Sequence, residues 1–82
     1  AEVKQDEILR RTADLCAAVR ASSCPVVLVS NEVGAGIVPE NSLARLFRDV
    51  QGIVNQIVAR SADRVVVTFA GLPLTLKGKA VL

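Results

Sequence analysis

The stretch Pro25-Val-Val-Leu-Val-Ser-Asn-Glu-Val-Gly-Ala-Gly-Ile-Val-Pro-Glu-Asn-Ser42 decides how the chain is read. Its apolar run, Val26 to Ser30, predicts a short strand. A run apolar at successive positions is what a parallel strand buried on both faces requires. The loop from Asn31 to Pro39 is polar at its start and carries Gly34 and Gly36. A helix start follows, with Pro39 near the first turn, Glu40 near the positive end of the dipole, and Asn41 or Ser42 as cap. Ligands of open α/β sheets bind outside the carboxyl ends of the strands. Ser30, Asn31 and Glu32 are therefore placed at a candidate functional edge.

Working outward, Leu43 to Ala62 is the clearest helix. Leu43, Leu46, Phe47, Val50, Ile53, Val54, Ile57 and Val58 make one apolar stripe at a 3.6-residue period. Arg45, Arg48, Asp49, Gly52, Asn55, Gln56 and Ala59 lie opposite, with Arg45 and Asp49 spaced to pair across one turn. Val65 to Ala70 reads as a second strand, ending in Gly71-Leu-Pro-Leu74 at the same edge. Strand, helix, strand is a βαβ unit, whose crossover is right-handed in nearly all proteins. Upstream, Glu2 to about Ala21 reads as a helix, with Ile8, Thr12, Leu15, Cys16 and Val19 at helical spacing. The tail after Lys77 is expected to be poorly anchored. The fold class is thus α/β: a helix plus a βαβ portion of a parallel sheet. Two doubly buried strands and two helices leave faces and edges uncovered, so the sheet is expected to be incomplete without further strands.

Composition narrows the function. Eighty-two residues allow one small domain. Half the chain is hydrophobic, yet only two residues are aromatic, so Val, Leu, Ile and Ala must build any core. The net charge of +2, with basic and acidic residues interspersed, argues against nucleic acid as a partner. No apolar stretch approaches the length of a membrane span, and no signal peptide pattern is present. Cys16 and Cys24 are read as reduced, buried thiols of a cytoplasmic protein, since they form no C-x-x-C pair and no disulfide framework. No methionine occurs, so a processed product or a part of something longer is expected.

The loop chemistry has bland alternatives. Gly34-Ala-Gly36 does not complete G-x-G-x-x-G, because Pro39 stands where the third glycine belongs, and no Walker A lysine follows. Glu32 is the candidate general base, or would hold a metal through a water, and Asn31 would orient a nucleophile or a phosphate oxygen, although single loop acids are more often solvated or capping. Ser30, Arg45 and Arg48 are candidates for binding substrate or phosphate, Arg by its bidentate fork. A structural ion pair is the competing reading for either arginine. Gly52 in mid-helix costs about 1 kcal/mol against Ala. That cost points to close approach of another backbone, so Gly52 and Asn55 are assigned to a subunit contact. With no histidine in the chain, covalent transfer through histidine is excluded within these residues. No metal ligand set is assigned.

Val27-Leu-Val-Ser-Asn-Glu-Val-Gly-Ala-Gly-Ile-Val-Pro-Glu-Asn41, then Arg45-Leu-Phe-Arg-Asp49, Gly52, Asn55-Gln56, Ala62-Asp63 and Gly71-Leu-Pro73 through Lys77, resembles the C-terminal half of the adenosylcobinamide kinase/adenosylcobinamide-phosphate guanylyltransferase family. The resemblance covers about Pro25 to Lys77, and the N-terminal helix matches only in type. It implies a P-loop, RecA-like α/β fold, with residues 1–82 the C-terminal part of one such domain and its nucleotide-binding half absent. It implies a cytoplasmic enzyme that phosphorylates the aminopropanol hydroxyl of adenosylcobinamide, then transfers GMP from GTP to that phosphate through a guanylylated histidine. GTP or ATP and Mg2+ would serve the complete enzyme, and this segment alone would bind none and be inactive. The family's Walker A loop, guanylylated histidine and Walker B aspartate precede the matched region, so none is carried over. Expected partners are the missing N-terminal half or other copies of the chain, in a homo-oligomer, and a corrinoid substrate. The alternative is a non-catalytic α/β assembly module pairing through its strands or the Gly52 helix face. A small redox protein is the weakest reading.

Overall fold

The computed structural model describes residues 5–32 and 41–79. Helix α1 spans Gln5–Ala21, helix α2 Ser42–Ser61, strand β1 Val65–Phe69 and strand β2 Leu72–Lys77. The expectations for residues 1–4, for Gly34, Gly36, Pro39 and Glu40, and for the last three residues lie outside the described residues.

Helix α1 carries Asp6 and Glu7 in its first turn and Arg20 in its last, each sign opposing the dipole it meets. Arg11 donates to Glu7 at 3.1 Å across one turn. Thr12 is buried, and its hydroxyl returns to the Ile8 carbonyl at 2.8 Å, so its polarity is spent inside the helix. The helix closes where the Ser22 N–H donates to the Val19 carbonyl at 3.1 Å. A turn follows in which the Cys24 N–H donates to the Ser22 hydroxyl at 3.1 Å.

Helix α2 starts as expected. The Asn41 side-chain oxygen accepts from the N–H groups of Leu43 and Ala44, at 2.8 and 3.2 Å. At the other end, the Lys77 ammonium donates to the carbonyls of Ala59 and Arg60, at 3.0 and 2.9 Å. A cation on the orphan carbonyls opposes the negative end of the dipole. Ile8 shares an open apolar groove with Leu43, Leu46, Phe47 and Val50 of α2. The Arg20 guanidinium donates to the Ser61 carbonyl. Start meets start and end meets end, so the two helices run in the same direction. The described residues that follow α1, 22–32, run back along them, as the strand of an αβα arrangement does.

Three expectations need correction. Val26 to Ser30 is not a strand: no regular element is formed there, and the parallel sheet is not present among the described residues. A strand exists through its ladder, and no described segment pairs with this one. Its exposures alternate, with Val26 at 45%, Val27 at 85%, Leu28 at 46% and Val29 at 92%. One side is half-covered and the other open, where the apolar run predicts cover on both. Second, Gly71-Leu-Pro-Leu74 is not a loop at the functional edge. Ala70 and Gly71 both take positive φ, 51° and 76°, as a two-residue primed hairpin turn requires. Leu72–Lys77 then folds back on β1 in an antiparallel pair, Phe69 opposite Leu72 and Val65 opposite Lys77, with an irregularity at Val65/Val66. Third, Cys24 is exposed and Cys16 only half-buried, although both are free thiols as expected.

Of the tail after Lys77, expected to be poorly anchored, only Gly78 and Lys79 are described, and Gly78 makes a close backbone contact. Gly78 takes φ 82°, and a Cβ there would overlap the Asp63 carbonyl oxygen. The backbone after β2 therefore packs against the backbone that leaves α2.

Candidate functional site

The returning segment reaches α2 at Ser30. The Ser30 hydroxyl donates to the Asn55 side-chain oxygen at 2.6 Å and accepts from the Gln51 amide nitrogen at 2.7 Å. Gln51 also donates to the Asn55 oxygen at 3.1 Å, closing a triangle of three side chains. The Asn55 amide nitrogen donates to the Asn31 carbonyl at 2.9 Å. Both ends of the Asn55 amide thus hold the tip of the segment, one through Ser30 and one through the Asn31 backbone. A single hydrogen bond of this kind nets about 0.5–1.5 kcal/mol. Four that share three side chains fix a position more firmly than their separate sizes suggest.

Gln51 and Asn55 are one turn apart and share a face of α2. Arg48 stands three residues before Gln51 on the same face, and Arg45 three before that. The polar stripe that flanks the apolar one is therefore the strip on which Ser30 and Asn31 land. The sequence pattern put Asn55 on this polar face but assigned it to a subunit contact, whereas both ends of its amide are engaged within the chain, and it passed over Gln51. Its signal was the spacing Arg48, Gln51, Asn55, the i, i+3, i+7 positions of one face.

Glu32 follows the clamped pair and is exposed. Ser30 and Asn31 are exposed, while Arg45 and Arg48 are half-buried. Arg48 forks onto one oxygen of Asp49, Nε at 3.2 Å and Nη2 at 2.9 Å. Asp49 is thus met by its neighbour in sequence. Gly52 stands beside this face with nothing within 4 Å of where a Cβ would be. The close backbone approach read from its mid-helix position is not made within the described chain.

As a chemical surface, the tip offers one carboxylate, one carboxamide side chain and two guanidinium groups up the same helix face. A carboxylate accepts a proton, a carboxamide orients a hydroxyl, and guanidinium groups meet phosphate. Among the described residues no three His, Cys, Asp or Glu side chains come together to hold a metal ion. Glu32 supplies one carboxylate, and magnesium takes one or two together with substrate phosphates and water. No helix of the described residues is long and apolar enough to cross a membrane.

Known proteins bear on this arrangement. The family described as cobinamide kinase / cobinamide phosphate guanyltransferase matches residues 1–76. The bifunctional adenosylcobalamin biosynthesis protein CobU of Salmonella typhimurium is 52% identical over 63 residues, 77% of this chain and 35% of its own length. The Escherichia coli protein of the same name is 49% identical over 63 residues, with the same coverage. The bifunctional adenosylcobalamin biosynthesis protein CobP of Pseudomonas aeruginosa is 46% identical over 54 residues, 66% of this chain and 31% of its own length. The chain belongs to the cobinamide kinase / cobinamide phosphate guanyltransferase family, and spans about a third of the length of the curated relatives it matches.

Proposed function

We propose that this chain is the C-terminal part of a bifunctional cobalamin-biosynthesis enzyme, and that Asn31 and Glu32 act in its phosphorylation of the cobinamide hydroxyl. One observation carries the site assignment: Asn55 holds the chain at Ser30 and Asn31, immediately before Glu32. In the complete enzyme the hydroxyl oxygen attacks the γ-phosphorus of the nucleotide, and the bond to the nucleoside diphosphate breaks. The hydroxyl proton passes to the Glu32 carboxylate, while the Asn31 amide orients the attacking oxygen. Arg45 and Arg48 would meet phosphate oxygens of a substrate. Displacing Asp49 from Arg48 costs little, because an exposed pair is worth about 0–1 kcal/mol.

The nucleotide, GTP or ATP, and its magnesium would be held by parts of the enzyme beyond these residues. GMP transfer needs a histidine, and this chain has none. The P-loop sheet, the cytoplasmic setting and the homo-oligomer belong to the same reading. The open side of Gly52, with Asn55 near it, is the surface assigned to a second copy.

Kinetics of the complete enzyme test the assignment. Glu32→Gln and Asn31→Ala are expected to lower the kinase rate per folded molecule by about 10²–10⁴ for the acid and less for the amide. Their melting temperatures should stay close to the parent's. Turnover within about twofold of the parent for both, whatever the melting temperature, would remove the two residues from the mechanism.

A further inference from the structure

The Ser30 hydroxyl has a geometry that does not suit a substrate ligand. Its one proton is directed to Asn55 at 2.6 Å, and it accepts from Gln51 at 2.7 Å. A hydroxyl has a single donor, so Ser30 has none left for a phosphate while this triangle stands. Asn55 completes the lock from the other side, donating to the Asn31 carbonyl at 2.9 Å. We infer that Asn55, with Ser30 and Gln51, forms a latch that positions Asn31 and Glu32, and that Ser30 serves the reaction as part of this latch and not as a phosphate ligand. The inference rests on the functional reading of Glu32 given above.

The latch acts through distance. Asn55 holds the backbone one residue before Glu32, so its loss lets the carboxylate wander from the reacting hydroxyl. Misplacement of a reacting group by about 1 Å can cost up to about 10²-fold in rate. Substrate binding is spared, because none of the three latch side chains touches substrate in this scheme. Groups that act as one unit also fail to add: once the carboxylate is gone, its positioning no longer matters.

The test is a double-mutant cycle in the complete enzyme, read as kinase kcat and nucleotide KM per folded molecule. Asn55→Ala is expected to lower kcat by about 10- to 100-fold with KM within about twofold. In the Glu32→Gln background the same change should cost less than about threefold more, because the two act through one group. Ser30→Ala, which deletes one oxygen, should repeat the pattern more weakly, and it carries the test if Asn55→Ala does not fold. Ser30→Thr, which keeps the hydroxyl, should restore most of the rate. Losses that multiply in the double variant, or a raised KM with kcat unchanged, overturn the latch. They leave the role of Glu32 standing if Glu32→Gln is itself impaired. Normal turnover of Glu32→Gln overturns the functional reading and the latch with it.

Discussion

Asn41 illustrates how far a single residue can be argued. Its carbonyl accepts from Arg45 N–H at 3.0 Å while its side chain takes Leu43 and Ala44. Replacing such a cap by Ala costs about 1 kcal/mol. Asn41→Ala is expected to lower the unfolding free energy of the complete enzyme, read by denaturant titration, by that amount, and Asn41→Asp to keep most of it. Gly78 makes a sharper case. A left-handed backbone costs a non-glycine residue roughly 1–2 kcal/mol, and the Cβ would in addition meet the Asp63 carbonyl. Gly78→Ala should therefore destabilise by more than Asn41→Ala, and an equal or smaller loss in denaturant titration would contradict the packing seen here. The cap was legible in the sequence to within one residue, Asn41 or Ser42, because a cap is a local event. Gln51 was not, because its partner Ser30 lies 21 residues away. The Gly78 contact was hidden for the same reason, since nothing near Lys77 announces Asp63.

At the scale of elements, the helices were legible and the sheet was not. A helix satisfies its own backbone, so the apolar period of Leu43 to Val58 was enough to place it within a residue at each end. A strand needs a neighbour, and an apolar run says nothing of which neighbour is supplied. Val26 to Ser30 has the composition of a central strand, and its direction between two parallel helices is that of one, yet nothing described pairs with it. The hairpin was missed because Pro73 and Gly71 read as a loop. Proline is tolerated here because a two-stranded sheet consists of edges, and Gly71 supplies the second positive φ of the turn. Ala70 supplies the first, at φ 51°, where Ala is strained and Asn is tolerated. Ala70→Asn is expected to raise stability by up to about 1 kcal/mol, read as a higher melting temperature of the complete enzyme. A fall in melting temperature would mean that the turn is not of the primed type.

The whole molecule exposes more than a finished domain does. Its accessible surface is 6727 Å², where a compact monomer of 8.7 kDa has about 4,700 Å². The radius of gyration, 14.4 Å, likewise exceeds the roughly 12 Å of a compact chain of this length. Among the described residues only Val50 and Thr12 are buried, while Val27, Val29, Phe47, Phe69, Leu72 and Leu76 stand more than 60% exposed. Burying one such side chain is worth about 1.5–3 kcal/mol. Ordering a residue's backbone costs about 1–2 kcal/mol, so one buried valine cannot hold the described residues in place. The surplus surface is of the size that one side of an obligate interface covers. The bare side chains of Val27 and Val29 are where a second covering layer would lie, while a neighbouring strand would pair at the backbone edges of the same segment. It follows that the isolated segment should show no cooperative thermal transition as a monomer. The complete enzyme, with those faces and edges covered, should unfold in one. Scanning calorimetry on both, with sedimentation to fix the oligomeric state, decides the matter. A monomeric 82-residue species with a sharp transition and native heat capacity change would show that these contacts suffice. The same preparation should neither hydrolyse GTP nor become labelled by it, since covalent GMP transfer through histidine requires a residue this chain lacks. Labelling of the isolated segment would place nucleotide chemistry on residues with no described means of performing it.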